Sequence, residues 1–164
     1  MSSIKIRPAA PTDVPLILSF IRSLALFEKA LDKVLATEAS LTATLFGAHP
    51  YAHVVFACDE QSGREMGMAL YFFNYSTWNA APGLYLEDLM VAEEDRGKGV
   101  GTELLRYLAG VAVEKGCGRM EWQALDWNTP AIEFYRKKVG AKSQDEWIGF
   151  RLDGEALTLF AKSS

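Results

Sequence analysis

Leu84-Tyr85-Leu86-Glu87-Asp88-Leu89-Met90-Val91 and, four residues later, Arg96-Gly97-Lys98-Gly99-Val100-Gly101 decide how this chain is read. The first run is apolar at most positions and reads as a strand. Its interior carries two adjacent acids, which a strand points to opposite faces, so at most one follows the core-facing set. The second run is a glycine-rich bend, and Thr102 to Lys115 behind it reads as a helix with Leu104, Leu105, Leu108, Val111 and Ala112 on one stripe. Backbone N–H groups in such a bend converge on an anion where the helix dipole also favours one. On residues alone the bend is either a ligand-free strand-to-helix turn or a cradle for a phosphate-bearing cofactor.

Outward from this centre the pattern is α+β. Ile4 and Ile6 alternate with Lys5 and Arg7 as an edge strand. Thr12 is the expected cap of a helix whose core face is Ile17, Phe20, Ile21, Leu24 and Ala25, running out into a loop at Glu28, Lys29, Asp32 and Lys33. Thr37 to Phe46 is a second helix closed by Gly47. Ala52 to Cys58 and Met66 to Tyr75 form a hairpin, and Asn74 to Gly83 reads as a longer connection containing Trp78. Arg119 to Trp127 is a further strand, and Pro130 to Lys138 a helix capped by Thr129 and stopped by Gly140. Trp147 to Leu152 and Ala156 to Ala161 read as short strands. No repeat or composition break divides the chain, so a single domain over residues 1–164 is expected.

Composition excludes several classes. With 17 basic and 21 acidic residues the net charge is −4, which argues against a general nucleic-acid binder. No apolar run approaches the ~20 residues of a membrane span, and no leader pattern is evident, so a cytoplasmic protein is expected. Cys58 and Cys117 are isolated and read as buried thiols. Pro50 between His49 and His53 breaks the helix that would bring both to one face, so no metal is expected. A Walker loop requires Ser or Thr after the lysine, and Lys98 precedes Gly99; a dinucleotide fingerprint requires glycine where Thr102 stands.

What remains is Arg-x-x-Gly-x-Gly behind an apolar strand, followed by Asp126-Trp127-Asn128-Thr129-Pro130-Ala131-Ile132-Glu133-Phe134-Tyr135 and Gly140-Ala141. This arrangement resembles the GCN5-related N-acetyltransferases, the GNAT superfamily. Ile6-Arg7-Pro8-Ala9, Leu24-Ala25-Leu26-Phe27-Glu28, Gly47-Ala48-His49-Pro50, Tyr71 to Trp78 and Tyr85-Leu86-Glu87-Asp88 extend the resemblance to its diamine acetyltransferase branch. Tyr75-Ser76-Thr77-Trp78 lacks the additional carboxylate of the polyamine enzymes and is more similar to the thialysine enzymes.

The resemblance implies a mixed, mostly antiparallel sheet flanked by helices, acetyl-CoA as co-substrate, a small-molecule amine as acceptor and a homodimer. It places the CoA pyrophosphate on Arg96, Gly97, Lys98, Gly99, Val100, Gly101 and Thr102, the pantetheine arm on backbone groups of Leu89 and Val91, and a CoA contact on Asn128. The oxyanion would be held by backbone N–H near Leu89. Glu28, Asp32, Trp78, Glu87 and Asp88 would bind the amine. An amine of pKa ~10.4 costs about 4.6 kcal/mol to present neutral at pH 7, so a base is needed. Glu87 is assigned that role, directly or through a water, and Tyr135 is assigned as the acid that protonates the departing thiolate. Long polyamines as substrates, or a CoA-binding module without turnover, are the alternatives.

Overall fold

The computed structural model describes residues 3–162, and its compact units divide between Gln123 and Ala124. The first unit is built on a five-stranded sheet in the order β1(Ile4–Pro8), β2(His53–Asp59), β3(Glu65–Ser76), β4(Ala81–Val91) and β5(Arg119–Trp122). Neighbours are antiparallel except β4 and β5, which run parallel. The expected mixed, mostly antiparallel sheet is therefore present, with β1 at one edge.

Helices cover both faces. Gly67 and Met68 are adjacent in β3 and so point to opposite sides. On the Met68 side, α1(Val14–Phe27) and α2(Glu38–Phe46) bury Ile17, Leu18, Phe20, Leu41 and Leu45 against Val54, Phe56, Met68 and Met90. On the Gly67 side lies α3(Val100–Glu114), whose Val100 and Leu104 side chains come so close that a Cβ on Gly67 would meet them at 3.0 and 3.3 Å. The sheet requires glycine there because helix and strand backbones approach closely.

Local chemistry sets the ends of these elements. Thr37 caps α2, its hydroxyl accepting the Ser40 N–H at 3.1 Å. Thr12 does not cap α1. It lies in a 3₁₀ turn, Pro11–Asp13, and Asp13 is the residue that bonds back, accepting the Ala10 N–H at 2.8 Å and a bidentate pair from Arg7. A carboxylate serves better than a hydroxyl here because Arg7 can share it. The connection after β3 is also shorter than the sequence suggests. β3 and β4 pair as far as Ser76 and Ala81, so only residues 77–80 form the turn, and Ala80 takes a left-handed φ of 48°.

The second unit holds α4(Thr129–Glu133), which continues as a π-helical turn over Phe134–Val139 and stops at Gly140, φ +80°. Its cap is Asn128, not Thr129: the Asn128 Oδ1 accepts the Ala131 N–H at 3.4 Å. The strand before it ends at Trp122, five residues short of the expected Trp127. The two expected terminal strands are absent among the described residues. Trp147 to Leu152 forms neither helix nor strand, and α5(Gly154–Lys162) is a helix. Glu155, Ala156, Leu157, Leu159 and Ala161 are strong helix formers, and the six-residue run carrying Trp147 finds no strand to pair with.

Two glycines give opposite expectations. Gly67→Ala should destabilise the fold by roughly 1–3 kcal/mol, because Met90 O at 2.8 Å and α3 both stand in the way. Gly110→Ala, inside α3 with open space around it, should stabilise by about 1 kcal/mol. Thermal unfolding of the two variants against wild type checks both.

Candidate functional site

The geometry of β4 creates the site. Leu70 pairs with Asp88 and Tyr71 with Leu86, so Glu87 is an extra residue that no β3 residue faces. This bulge shifts the phase of the strand. Leu84 and Leu86 lie on the α3 side, whereas Asp88 and Met90 beyond the bulge lie on the side of α1, opposite Leu70 and Met68. Glu87 is exposed at the kink, and Asp88 is the acid that turns inward.

On the other edge, β4 parts from β5. Their pairing runs only from Gly83–Arg119 to Leu86–Trp122, and β4 continues to Val91. Ala92 N–H donates to Met66 O of β3 at 2.9 Å. By strand alternation, Leu89 and Val91 therefore direct their N–H and C=O groups away from β3, toward the parted edge. Val91 O accepts from the Arg96 Nε at 3.4 Å, which agrees with that direction.

The electrostatics of the two neighbouring acids differ. Burial, with the charges of Glu87 and Glu28 adding to it, pushes the Asp88 carboxyl up to about 6. Glu28 stands at the C-terminal cap of α1, where the chain turns through the left-handed Lys29, φ 58°. Glu28, Glu87 and Asp88 are thus an acidic group drawn from α1 and β4. Asp32 follows in an exposed 3₁₀ turn, Leu31–Lys33. Trp78 is not brought to this group. It is 92% exposed in the turn before β4, and Glu87 lies six residues beyond the strand's start, roughly 20 Å at 3.3 Å per residue.

Past Val91 the chain makes a 3₁₀ turn, Glu93–Asp95, and enters the glycine bend. Gly97 and Gly99 both adopt left-handed backbone, φ +76° and +87°, with nothing near the position a Cβ would take. Gly99 is the cap of α3 and no side chain bonds to the helix start, so the first-turn N–H groups of Val100, Gly101 and Thr102 have no capping side chain. The two cations of the bend are otherwise engaged. The Arg96 guanidinium stacks on Phe27 at 5.0 Å, and the Lys98 Nζ donates to Asp95 Oδ1 at 3.0 Å.

Sequence reasoning overlooked Asp95 itself. It is fully buried, and Arg64 from the β2–β3 turn grips both of its oxygens at 2.7 and 2.9 Å. The partner is 31 residues away, and no local pattern announces it.

In the second unit Asn128 spends its side-chain oxygen on the α4 cap, and Tyr135 sits on the π-helical turn with its ring 5.4 Å from that of Phe134. Burial pushes the Tyr135 hydroxyl up, so it stays protonated at neutral pH.

Known proteins share this architecture. The profile of the acetyltransferase (GNAT) family matches residues 21–141. The thialysine N-epsilon-acetyltransferase of Sus scrofa is 39% identical over 96% of both chains. The L-ornithine N5-acetyltransferase of Arabidopsis thaliana is 34% identical over 96% of this chain and 88% of its own. Among solved structures, an integron cassette protein from the mobile metagenome of V. cholerae superposes with a TM-score of 0.80 at 29% identity, covering 99% of each chain. Sequence, sheet and glycine bend agree: the chain belongs to the GNAT acetyltransferase family and is an N-acetyltransferase.

Proposed function

We propose that this enzyme, acting as one domain over its 164 residues, transfers the acetyl group of acetyl-CoA to a primary amine of a small lysine-like or diamine molecule, by direct attack in a ternary complex. One observation carries the reading: β4 sets an acidic group directly ahead of an uncapped, glycine-rich helix start. The first suits a cationic amine and the second a diphosphate. The names of the thialysine and ornithine relatives support an amine of that size.

The roles follow from the chemistry of the groups. Backbone N–H groups from Gly97 to Thr102 receive the pyrophosphate, and those of Leu89 and Val91 receive the pantetheine arm and the carbonyl that becomes the oxyanion. Lys98 and Arg96 add charge when released from Asp95 and Phe27. Glu28, Asp32 and Asp88 attract the ammonium group. Glu87, exposed at the bulge, takes its proton directly or through a water, and the neutral nitrogen attacks the thioester carbon. The tetrahedral adduct collapses with loss of the CoA thiolate, to which Tyr135 gives its proton. The family resemblance further supports a CoA contact at Asn128, a homodimer and a cytoplasmic location.

Incubation with acetyl-CoA and a panel of thialysine, lysine, ornithine, putrescine and spermidine, with thiol release followed, tests the reading. Thialysine or a short diamine should give the highest kcat/KM. A preference for spermidine would move the enzyme to the polyamine class, and no release above hydrolysis with any amine would refute the proposal.

Tyr135→Phe should lower kcat by at least tenfold while leaving CoA affinity nearly unchanged, since the ring still packs and only the proton donor is lost. Unchanged turnover would remove Tyr135 from the mechanism.

Asp88 supplies a pH signature. Its folded-state pKa of about 6 lies above the unfolded value of 3.8, so the folded protein holds the extra proton between these values and stability falls as pH rises through that window. About two pKa units correspond to roughly 3 kcal/mol of destabilisation, present in full above pH ~6. Asp88→Asn should therefore be more stable than wild type at pH 8, with the advantage closing toward pH 4, while its KM for the amine rises. Unfolding curves and amine kinetics across that range check both.

A further inference from the structure

Asp95 stands immediately before Arg96-Gly97-Lys98-Gly99, is fully buried and is held charged, because hydrogen bonds from Arg64 and Lys98 lower its carboxyl below the usual carboxylate value. Such a carboxylate is tolerated only while its oxygens are matched. The Arg64 Nη1 donates to Oδ2 at 2.7 Å and Nη2 to Oδ1 at 2.9 Å, a planar two-pronged grip that a lysine cannot reproduce. Lys98 Nζ shares Oδ1 at 3.0 Å, and Lys98 N–H donates to Asp95 O at 3.3 Å. Asp95 is thereby tied to the bend at both the backbone and the side chain of Lys98, while Arg64 belongs to the turn between β2 and β3. Glu94 also lies 3.6 Å from the Arg64 guanidinium.

We infer that Arg64 is a positioning residue for the cofactor loop: through Asp95 it fixes the glycine bend in the arrangement that receives the diphosphate of acetyl-CoA and leaves the Lys98 ammonium available to it. The inference rests on the proposed CoA site and adds a residue outside every motif that identifies it. With Arg64 in place, one Asp95 oxygen is fully occupied and the other is shared, so Lys98 is only partly neutralised and can turn to a phosphate. Without Arg64, Asp95 keeps Lys98 as its remaining cation and loses the guanidinium that covers it. Asp95 then either captures that ammonium fully or draws the 3₁₀ turn toward water, and either result spoils the bend. Neither the acidic group on β4 nor the chemistry of attack is touched.

Arg64→Ala should raise KM for acetyl-CoA about tenfold, with kcat and the amine KM within about twofold of wild type. The mechanism also predicts a rescue. Asp95→Asn in the Arg64→Ala background removes the unmatched charge, and should return the acetyl-CoA KM most of the way to that of Asp95→Asn alone. Calorimetry with CoA separates the two layers of the argument: absence of binding by wild type refutes the CoA site itself. Binding by wild type with equal affinity in Arg64→Ala refutes the role of Arg64. A lowered melting temperature with an unchanged acetyl-CoA KM also refutes it, since the ion pair would then be structural only. Should Arg64→Ala fail to fold, Arg64→Lys keeps one contact of the grip and is expected to give an intermediate KM; a wild-type KM in that variant overturns the inference.

Discussion

One extra residue in β4 governs the site. Were β4 regular, Leu84, Leu86, Asp88 and Met90 would share a face, and Asp88 would be driven under α3 among Val100 and Leu104. The bulge at Glu87 moves everything after it to the opposite face. Met90 then completes the apolar layer beneath α1 and α2, Asp88 meets the end of α1 at Glu28, and Glu87 is left at a kink with no residue across from it. The same kink coincides with the end of pairing to β5, so the backbone of Leu89 and Val91 faces an open edge. Within five residues the strand thus carries an inward acid, an outward acid and main-chain donors directed away from β3.

Two carboxylates of this region, the buried Asp95 and the half-buried Asp88, are treated in opposite ways. Asp95 is matched by a guanidinium and an ammonium, so its charge is kept and its carboxyl titrates below the ordinary range. Asp88 is shielded from water and set near two further acids, so its charged form is disfavoured. A carboxylate whose charged form is disfavoured by burial and neighbouring acids is one that a cationic ligand would satisfy. The pattern therefore separates a carboxylate already matched by cations from the acids proposed to receive an ammonium.

Much of this was legible in the chain because it is locally written. Glycine at 97 and 99 announces left-handed backbone, the stripe from Leu104 to Ala112 announces α3, and the Asp59 to Arg64 segment announces a hairpin. The phase of β4 was not legible, because a bulge is defined by the register of the partner strand and Glu87 reads like any other strand residue. The start of α1 was misplaced for a similar reason: Asp13 stands at the cap position without a side-chain bond to the helix, its carboxylate held by Arg7 of β1 and the Ala10 N–H. The terminal segment misled in another way. Alternating apolar residues over Trp147 to Leu152 promise a strand only where an edge is offered, and the helix formers around Leu157 favour α5.

Four acids, Glu93, Glu94, Asp95 and Glu103, crowd the helix start proposed to accept the diphosphate, and the two cations of the bend lie against Phe27 and Asp95. Backbone donors and the helix dipole alone act over a single turn and are weakened by such neighbours. The arrangement works only if the nearest negative charge is cancelled before the phosphate arrives. Glu103 is paired with Arg106, and Asp95, the one with no access to water, is cancelled by Arg64. Placing that cation on a separate hairpin has a consequence of its own: it offsets the Asp95 charge from outside the bend, leaving the glycine backbone open for the proposed cofactor. On the proposed reading, anion affinity at this loop depends on the β2–β3 turn as well as on the glycines themselves.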